Sequence, residues 1–261
     1  MRFAILDAKL IESSPGLKAV CPGCSQPVVA KCGTQRIHHW AHVQKMCDSW
    51  SEPETQWHRA WKNHFPVEWQ EIFLPDQRTG EKHIADVRTS HGMVIEFQHS
   101  HLDPQERSTR EAFYRNMVWV VDGNRLKRDY PRFLKGKSEC GSINSGIYRT
   151  MFPDECFPAA WIKSPVPVLF DFSTSESIGD IKDPRNDLIL LFPSRIGGDA
   201  IFAVLSRKAF IDAATNGKLI PWTYNYIQEL KNLIAERQRQ QDNINFNQFM
   251  RTVRYRKSRR F

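Results

Sequence analysis

The sequence predicts a mixed α/β (α+β) protein with an αβββαβ core over about residues 51–135, a small cysteine- and histidine-rich element over 1–50 before it, and a β-rich region after it. Three observations predict this. Apolar residues recur at helical spacing after Glu54, alternate along strands up to Gln98, become helical again, and close in the continuous run Met117–Val121. All nine histidines precede position 102 and four of the six cysteines fall between Cys21 and Cys47, so the polar chemistry is N-terminal. At 261 residues, 41% hydrophobic and 25% charged, the chain can bury a sizeable core.

In the first segment, Cys21-Pro-Gly-Cys24 offers two thiolates and His39-x-x-His42 a second ligand pair about fifteen residues on. Four such ligands suit tetrahedral Zn²⁺, so Cys21, Cys24, His39 and His42 are the expected structural site, with Cys32 or Cys47 able to replace either histidine. Cys140 and Cys156 read as ordinary core residues.

The core begins with a helix expected over Glu54–His64 and stopped by Pro66. Trp57, Trp61 and Phe65 form its apolar stripe; Glu54, His58 and Lys62 form a polar stripe beside it that can border a site. Strands are expected at Val67–Phe73, Ile84–Arg88 and Met93–Gln98, the last two joined by a turn through Ser90, His91 and Gly92. On the third strand Met93, Ile95 and Phe97 share one face, and Val94, Glu96 and Gln98 the other. With the turn centred on His91, Asp86 faces Glu96 with Cβ atoms roughly 5 Å apart, and like charges so placed repel, so a positive group is expected between them. A helix over Asp103–Asn116 follows, then the strand Met117–Val121, ended by Asp122-Gly123.

Residues 150–221 are expected to form a β-rich accessory domain without a catalytic constellation, with strands at Val166–Phe172, Leu188–Phe192 and Ala200–Val204 and a helix at Lys208–Thr215. Residues 222–261 hold a helix over Tyr226–Gln240, apolar at Ile227, Leu230 and Ile234, and a basic tail. The net charge is +8, but Arg251–Phe261 alone carries six cations and no anion, which leaves 31 basic against 29 acidic residues elsewhere. A nucleic-acid partner therefore has to be argued from sites, and Arg254, Arg256 and Lys257 are the tail's phosphate-contact candidates. The longest apolar run, Ala200–Leu205, is six residues, and Asp7 and Lys9 interrupt the apolar start. No membrane segment or signal peptide is expected, and the location expected is cytoplasmic.

Asp86 on one central strand, with Glu96-Phe97-Gln98 on its neighbour, has the form of a PD-(D/E)XK nuclease site. Two mutually repelling carboxylates provide a Mg²⁺ (or Mn²⁺) site, with Asp86, Glu96 and the Phe97 carbonyl as ligands. Gln98 stands where a lysine is usual and can orient a water but not accept its proton. His58 is placed for proton transfer beside the metal, and His99 and Arg110 for contact with phosphate.

The strings His83-Ile-Ala-Asp86-Val-Arg-Thr, Val94-Ile-Glu96-Phe-Gln98-His-Ser100, Arg110-x-x-Phe113-Tyr114 and Trp119-Val-Val-Asp-Gly123 strongly resemble the competence protein CoiA-like family. So do Cys21-Pro-x-Cys24, His39-Trp-Ala-His42, Thr55-x-Trp57-His58-x-x-Trp61-Lys62 and Val168-Leu-Phe-Asp171-Phe172. The resemblance implies a PD-(D/E)XK-type nuclease core with a zinc-ribbon-like N-terminal element. It departs at Gln56, where many relatives carry an acidic residue before Trp57-His58; Glu54 is the replacement expected. The function implied is metal-dependent cleavage of DNA in processing, uptake (competence) or defence, with DNA and other DNA-processing or defence proteins as partners. Gln56 and Gln98 sustain an alternative, a nucleic-acid-binding accessory protein that does not cleave. A zinc-held protein-interaction module is a third reading, which leaves Asp86 facing Glu96 unexplained.

Overall fold

The computed structural model describes residues 1–44, 50, 53–76, 80, 82–180 and 182–258, the last eight of these as backbone. The N-terminal segment folds as a five-stranded antiparallel sheet in the order β2-β1-β3-β4-β5, built from β1 Phe3–Leu6, β2 Lys9–Glu12, β3 Lys18–Val20, β4 Pro27–Lys31 and β5 His39–His42. Ala4, Ala19, Cys21, Val28 and Trp40 fill its small core. Phe73 of the following sheet packs so tightly on Gly23 that a Cβ there would lie 2.0 Å from its ring, so the Cys21–Cys24 turn accepts only glycine at that position.

The expected αβββαβ order forms as α1 Gln56–Lys62, β6 Gln70–Pro75, β7 Lys82–Arg88, β8 Val94–Gln98, α2 Pro104–Tyr114 and β9 Met117–Asp122. α1 is shorter than expected because Thr55 caps it: the Thr55 side chain accepts from the His58 amide while His58 reaches back to the Thr55 amide. α2 starts one residue late, with Asp103 as its cap and Pro104 in the first turn. The β7–β8 register pairs Val87 with Ile95 and Arg88 with Val94, which centres the turn on His91. Gly92 takes the left-handed conformation, φ 78°, that a three-residue hairpin loop requires.

β8 and β9 pair in parallel, and β9 pairs in parallel with β12 Val168–Asp171. β13 Asp187–Ile196 and β14 Asp199–Ser206 continue the same sheet, followed by β11 Ile147–Thr150 and β10 Gly141–Asn144. The β-rich region placed at 150–221 is thus one nine-stranded sheet with the core, in the order β10-β11-β14-β13-β12-β9-β8-β7-β6. Its central strands are buried on both faces, which explains their unbroken apolar runs. Ile95, Val118, Val120 and Leu190 pack on one side under α1, while Val94, Trp119, Phe170 and Phe202 pack on the other. The indole N–H groups of Trp57 and Trp61 both donate to Asp171 Oδ2, at 3.0 and 2.9 Å, and so pin α1 to β12.

Three helices, α3 Asp129–Ser138, α4 Ser175–Ile178 and α5 Arg207–Thr215, fill the connections. The last, α6, runs 40 residues from Leu219 to Ser258, well past the expected end at Gln240. After Pro221, which the first turn tolerates, no proline or glycine interrupts it. Among the described residues no helix is long and apolar enough to cross a membrane.

Candidate active site

The strand registers build the site. Gln70 pairs with Val87 and Ile72 with Ala85, so Glu71 lies opposite Asp86. The β7–β8 register, carried one residue further, sets Asp86 opposite Glu96. Three carboxylates from three adjacent strands therefore stand in one row. Glu71 holds φ 51°, a left-handed conformation that a residue with a side chain adopts at a cost, so its placement is imposed by what surrounds it.

The positive charge expected between Asp86 and Glu96 comes from both flanking helices. Lys62 of α1 is buried, with Nζ 2.9 Å from Glu54 Oε1, 3.0 Å from Glu71 Oε1 and 3.4 Å from Asp86 Oδ1. Arg110 of α2 reaches Glu96 Oε2 at 3.2 Å and is itself braced by Glu106 and by the Trp50 carbonyl. Burial opposes the Lys62 charge, yet Glu71, Asp86 and Glu54 overrule it and raise the lysine above its ordinary value. Burial would likewise raise Glu71, but Lys62, the N-terminal ammonium and the Arg2 amide bring it down to about 2. Glu54 is lowered by the same contest, its burial outweighed chiefly by Lys62.

The other expected residues divide. Glu54 sits just before α1 and borders the cavity, with its buried Oε1 paired to Lys62. His58 is buried and borders the cavity too, with its protonation pattern set by its partners. Nδ1 accepts from the Thr55 amide at 3.2 Å, so Nε2 carries the proton and donates to the Phe97 carbonyl at 3.0 Å. That carbonyl, expected as a free metal ligand, is engaged by His58. Gln98 is not among the cavity's lining residues: its amide turns to Ser100 O and Oγ at 3.2 and 3.3 Å. His99 is bound to Asp122 Oδ2 at 2.6 Å and also lies outside the lining. The side chains of Arg254, Arg256 and Lys257 lie outside the described residues.

Glu71 was not legible as a site residue. It is one glutamate in a strand whose register depends on the loop to β7, and the available signal was its place two strands from Glu96 once that register is known. Lys62 was visible only as the third member of a polar stripe.

The carboxylates open into a cavity of about 400 Å³. Lys62, Glu71, Asp86, Glu96 and Arg110 line it from the core, and Arg36, His39 and His42 from the N-terminal sheet. A group of residues that could hold a metal reaches that second wall through His42. Among the described residues one group brings three ligating atoms within 4.8 Å of one another, Cys21, Cys24 and His42. Cys24 Sγ and His42 Nε2 are 3.3 Å apart, and the Gly23 amide donates to Cys21 Sγ at 3.4 Å. Two thiols and an imidazole are the donor set that suits Zn²⁺, and burial lowers the His42 pKa toward the neutral form a metal binds.

His39 and Cys32 do not join this group. On an extended strand a His-x-x-His pair does not converge as it would on a helix: His39 and His42 both border the cavity, but only His42 approaches the two cysteines. His39 Nδ1 instead meets the Ile37 carbonyl at 2.9 Å. Cys47 lies outside the described residues.

Residues 13–49, which contain Cys21, Cys24 and His42, match the family model described as competence protein CoiA, N-terminal domain. No curated protein and no solved structure matches the chain.

Proposed function

We propose, from the premise that this is a CoiA-like protein, that it acts in competence as a divalent-metal-dependent deoxyribonuclease of the PD-(D/E)XK type, in DNA uptake and processing or in defence against foreign DNA. The observation that carries the proposal is Asp86 set opposite Glu96 in a cavity, each with one carboxylate oxygen turned to a cationic side chain.

The residues fit a hard divalent cation. Carboxylate oxygens are its preferred donors, and two protein carboxylates suffice when phosphate and water complete the shell. Bound there, Mg²⁺ or Mn²⁺ would neutralise charge on the scissile phosphate and lower the pKa of a water. The chain's own residues do the rest. Lys62, on α1 rather than at position 98, supplies the lysine of the site, favours the ionised forms of Glu54 and Glu71, and faces Asp86 as an ion pair. Arg110 pairs with Glu96 and places a guanidinium beside an incoming phosphate. His58 fixes the end of β8 through the Phe97 carbonyl, which orients Glu96 one residue away. Zn²⁺ held by Cys21, Cys24 and His42 would fix the wall that faces the carboxylates.

The test is purified protein with Mg²⁺ or Mn²⁺ against labelled single-stranded, duplex and RNA substrates, beside the Asp86→Asn, Glu96→Gln double variant. Cleavage by the wild type alone supports the proposal. DNA binding without cleavage by either protein makes it a non-cleaving accessory protein.

A further inference from the structure

The structure carries one step further, which rests on the nuclease reading of this site: we propose that the substrate is an unpaired DNA strand, passed between the N-terminal sheet and the core so that one nucleotide at a time enters the cavity.

The carboxylates do not stand on an open surface. Glu96 and Lys62 keep only 5% and 4% of their side chains exposed, and Asp86, the most accessible of the row, 24%. The opposite wall belongs to a different sheet, through His39 and His42 of β5 and Arg36 before it. The space between, about 400 Å³, is the size of a small-ligand pocket and suits a single nucleotide. A duplex presents its phosphates on the outside of a stacked pair of strands, and with both strands in place that bulk stays at the rim. A strand released from its partner has no such limit.

The walls also carry the chemistry that binds single strands. Trp50 lines the cavity, stacked on His83 with ring centroids 3.3 Å apart and lying 5.6 Å from the Arg110 guanidinium. Arg36 is exposed and His39 half-exposed on the facing wall. Aromatic surface combined with backbone-tracking cations is the pattern that holds unpaired nucleic acid without choosing sequence.

The experiment compares three DNAs of matched sequence in Mn²⁺: a single-stranded oligonucleotide, a covalently closed circular duplex, and a duplex with an unpaired flap. The expected result is cleavage of the single strand and the flap at least about tenfold faster than nicking of the closed duplex, with flap products confined to the unpaired arm. Nicking of the closed duplex within about threefold of the single-strand rate overturns the substrate class and leaves the nuclease reading intact. If nothing is cleaved, the nuclease reading fails, and binding in Ca²⁺ decides the strand preference. At least about tenfold tighter binding of single strand than duplex, weakened about fivefold by Arg36→Ala, retains it; equal affinities overturn it.

Discussion

The amide of Asp86 donates to Glu96 Oε1 at 3.2 Å, and the amide of Phe97 donates to Asp86 Oδ2 at 3.0 Å, so the two carboxylates are each held by the other's strand. One oxygen of each is thereby fixed by a backbone N–H. The other faces a cation, Asp86 Oδ1 toward Lys62 and Glu96 Oε2 toward Arg110. The repulsion between like charges is offset by two amides and two cationic side chains.

Asp86→Asn and Glu96→Gln keep an oxygen for the amide bonds and remove the charge. Each is expected to reduce cleavage by about a hundredfold or more, because electrostatic stabilisation at the reacting phosphate is lost. Stability should change by only about 1 kcal/mol, since Lys62 keeps Glu54 and Glu71, and Arg110 keeps Glu106. Cleavage rates beside urea denaturation check this; unchanged cleavage in both variants removes the site from consideration.

The sequence carried the hairpin with its register, because alternation along Val94–Gln98 and the Ser90-His91-Gly92 turn are local signals. It carried the αβββαβ order for the same reason. It did not carry Glu71, whose role needs the β6–β7 register and the approach of α1 above it. His-x-x-His suits zinc on a helix but not on the strand β5, so the spacing of His39 and His42 has meaning only once the backbone is known. The join of β12 to β9 was hidden as well, since apolar runs such as Val168–Phe170 do not state which neighbour they pair with.

Lys62→Met retains bulk but leaves Glu54 and Glu71 buried without their shared cation. Breaking a buried pair from one side costs about 3–5 kcal/mol, so a large fall in the denaturation midpoint at pH 7 is expected. Lowering the pH should restore part of the loss, because protonated carboxyls no longer need the lysine. A midpoint within experimental error of wild type would show that the lysine contributes nothing to holding the row.

Wild-type stability should fall on the acid side through Glu71. Its folded pKa of about 2 lies below the ordinary 4.5, so its contribution is present above about 4.5 and is lost as pH falls toward 2. The shift corresponds to on the order of 3 kcal/mol at neutral pH. Glu71→Gln should lower stability at pH 7 and flatten the slope between pH 5 and 3 relative to wild type; parallel slopes in denaturation series across that range refute it.

For the N-terminal cluster, protein purified without chelator should contain one equivalent of zinc. Cys21→Ser with Cys24→Ser, or His42→Ala alone, should release it and loosen the first fifty residues, because binding and folding of such an element are coupled. His39→Ala should retain the metal. Elemental analysis separates the outcomes: zinc below about a tenth of an equivalent in the wild type, or loss in His39→Ala equal to that in His42→Ala, contradicts the assignment.

The basic end of the chain tests whether the proposed grip on DNA extends beyond the cavity. Six cations fall within Arg251–Phe261, and the helix that leads to them continues to Ser258. A cluster of cations contacts phosphates without reading bases, so its contribution should be uniform across sequences and sensitive to salt. If all six displaced counterions from duplex, the log–log dependence of affinity on salt would steepen by about 5, roughly a thousandfold between 50 and 200 mM. With only part of the cluster engaged, truncation after Met250 is expected to reduce the slope by about 2 to 4. The chemical step, measured at saturating DNA, should stay unchanged because Asp86 and Glu96 are untouched. Binding curves for the full and truncated chains across a salt series decide the matter: coincident slopes would mean that the cluster meets only solvent.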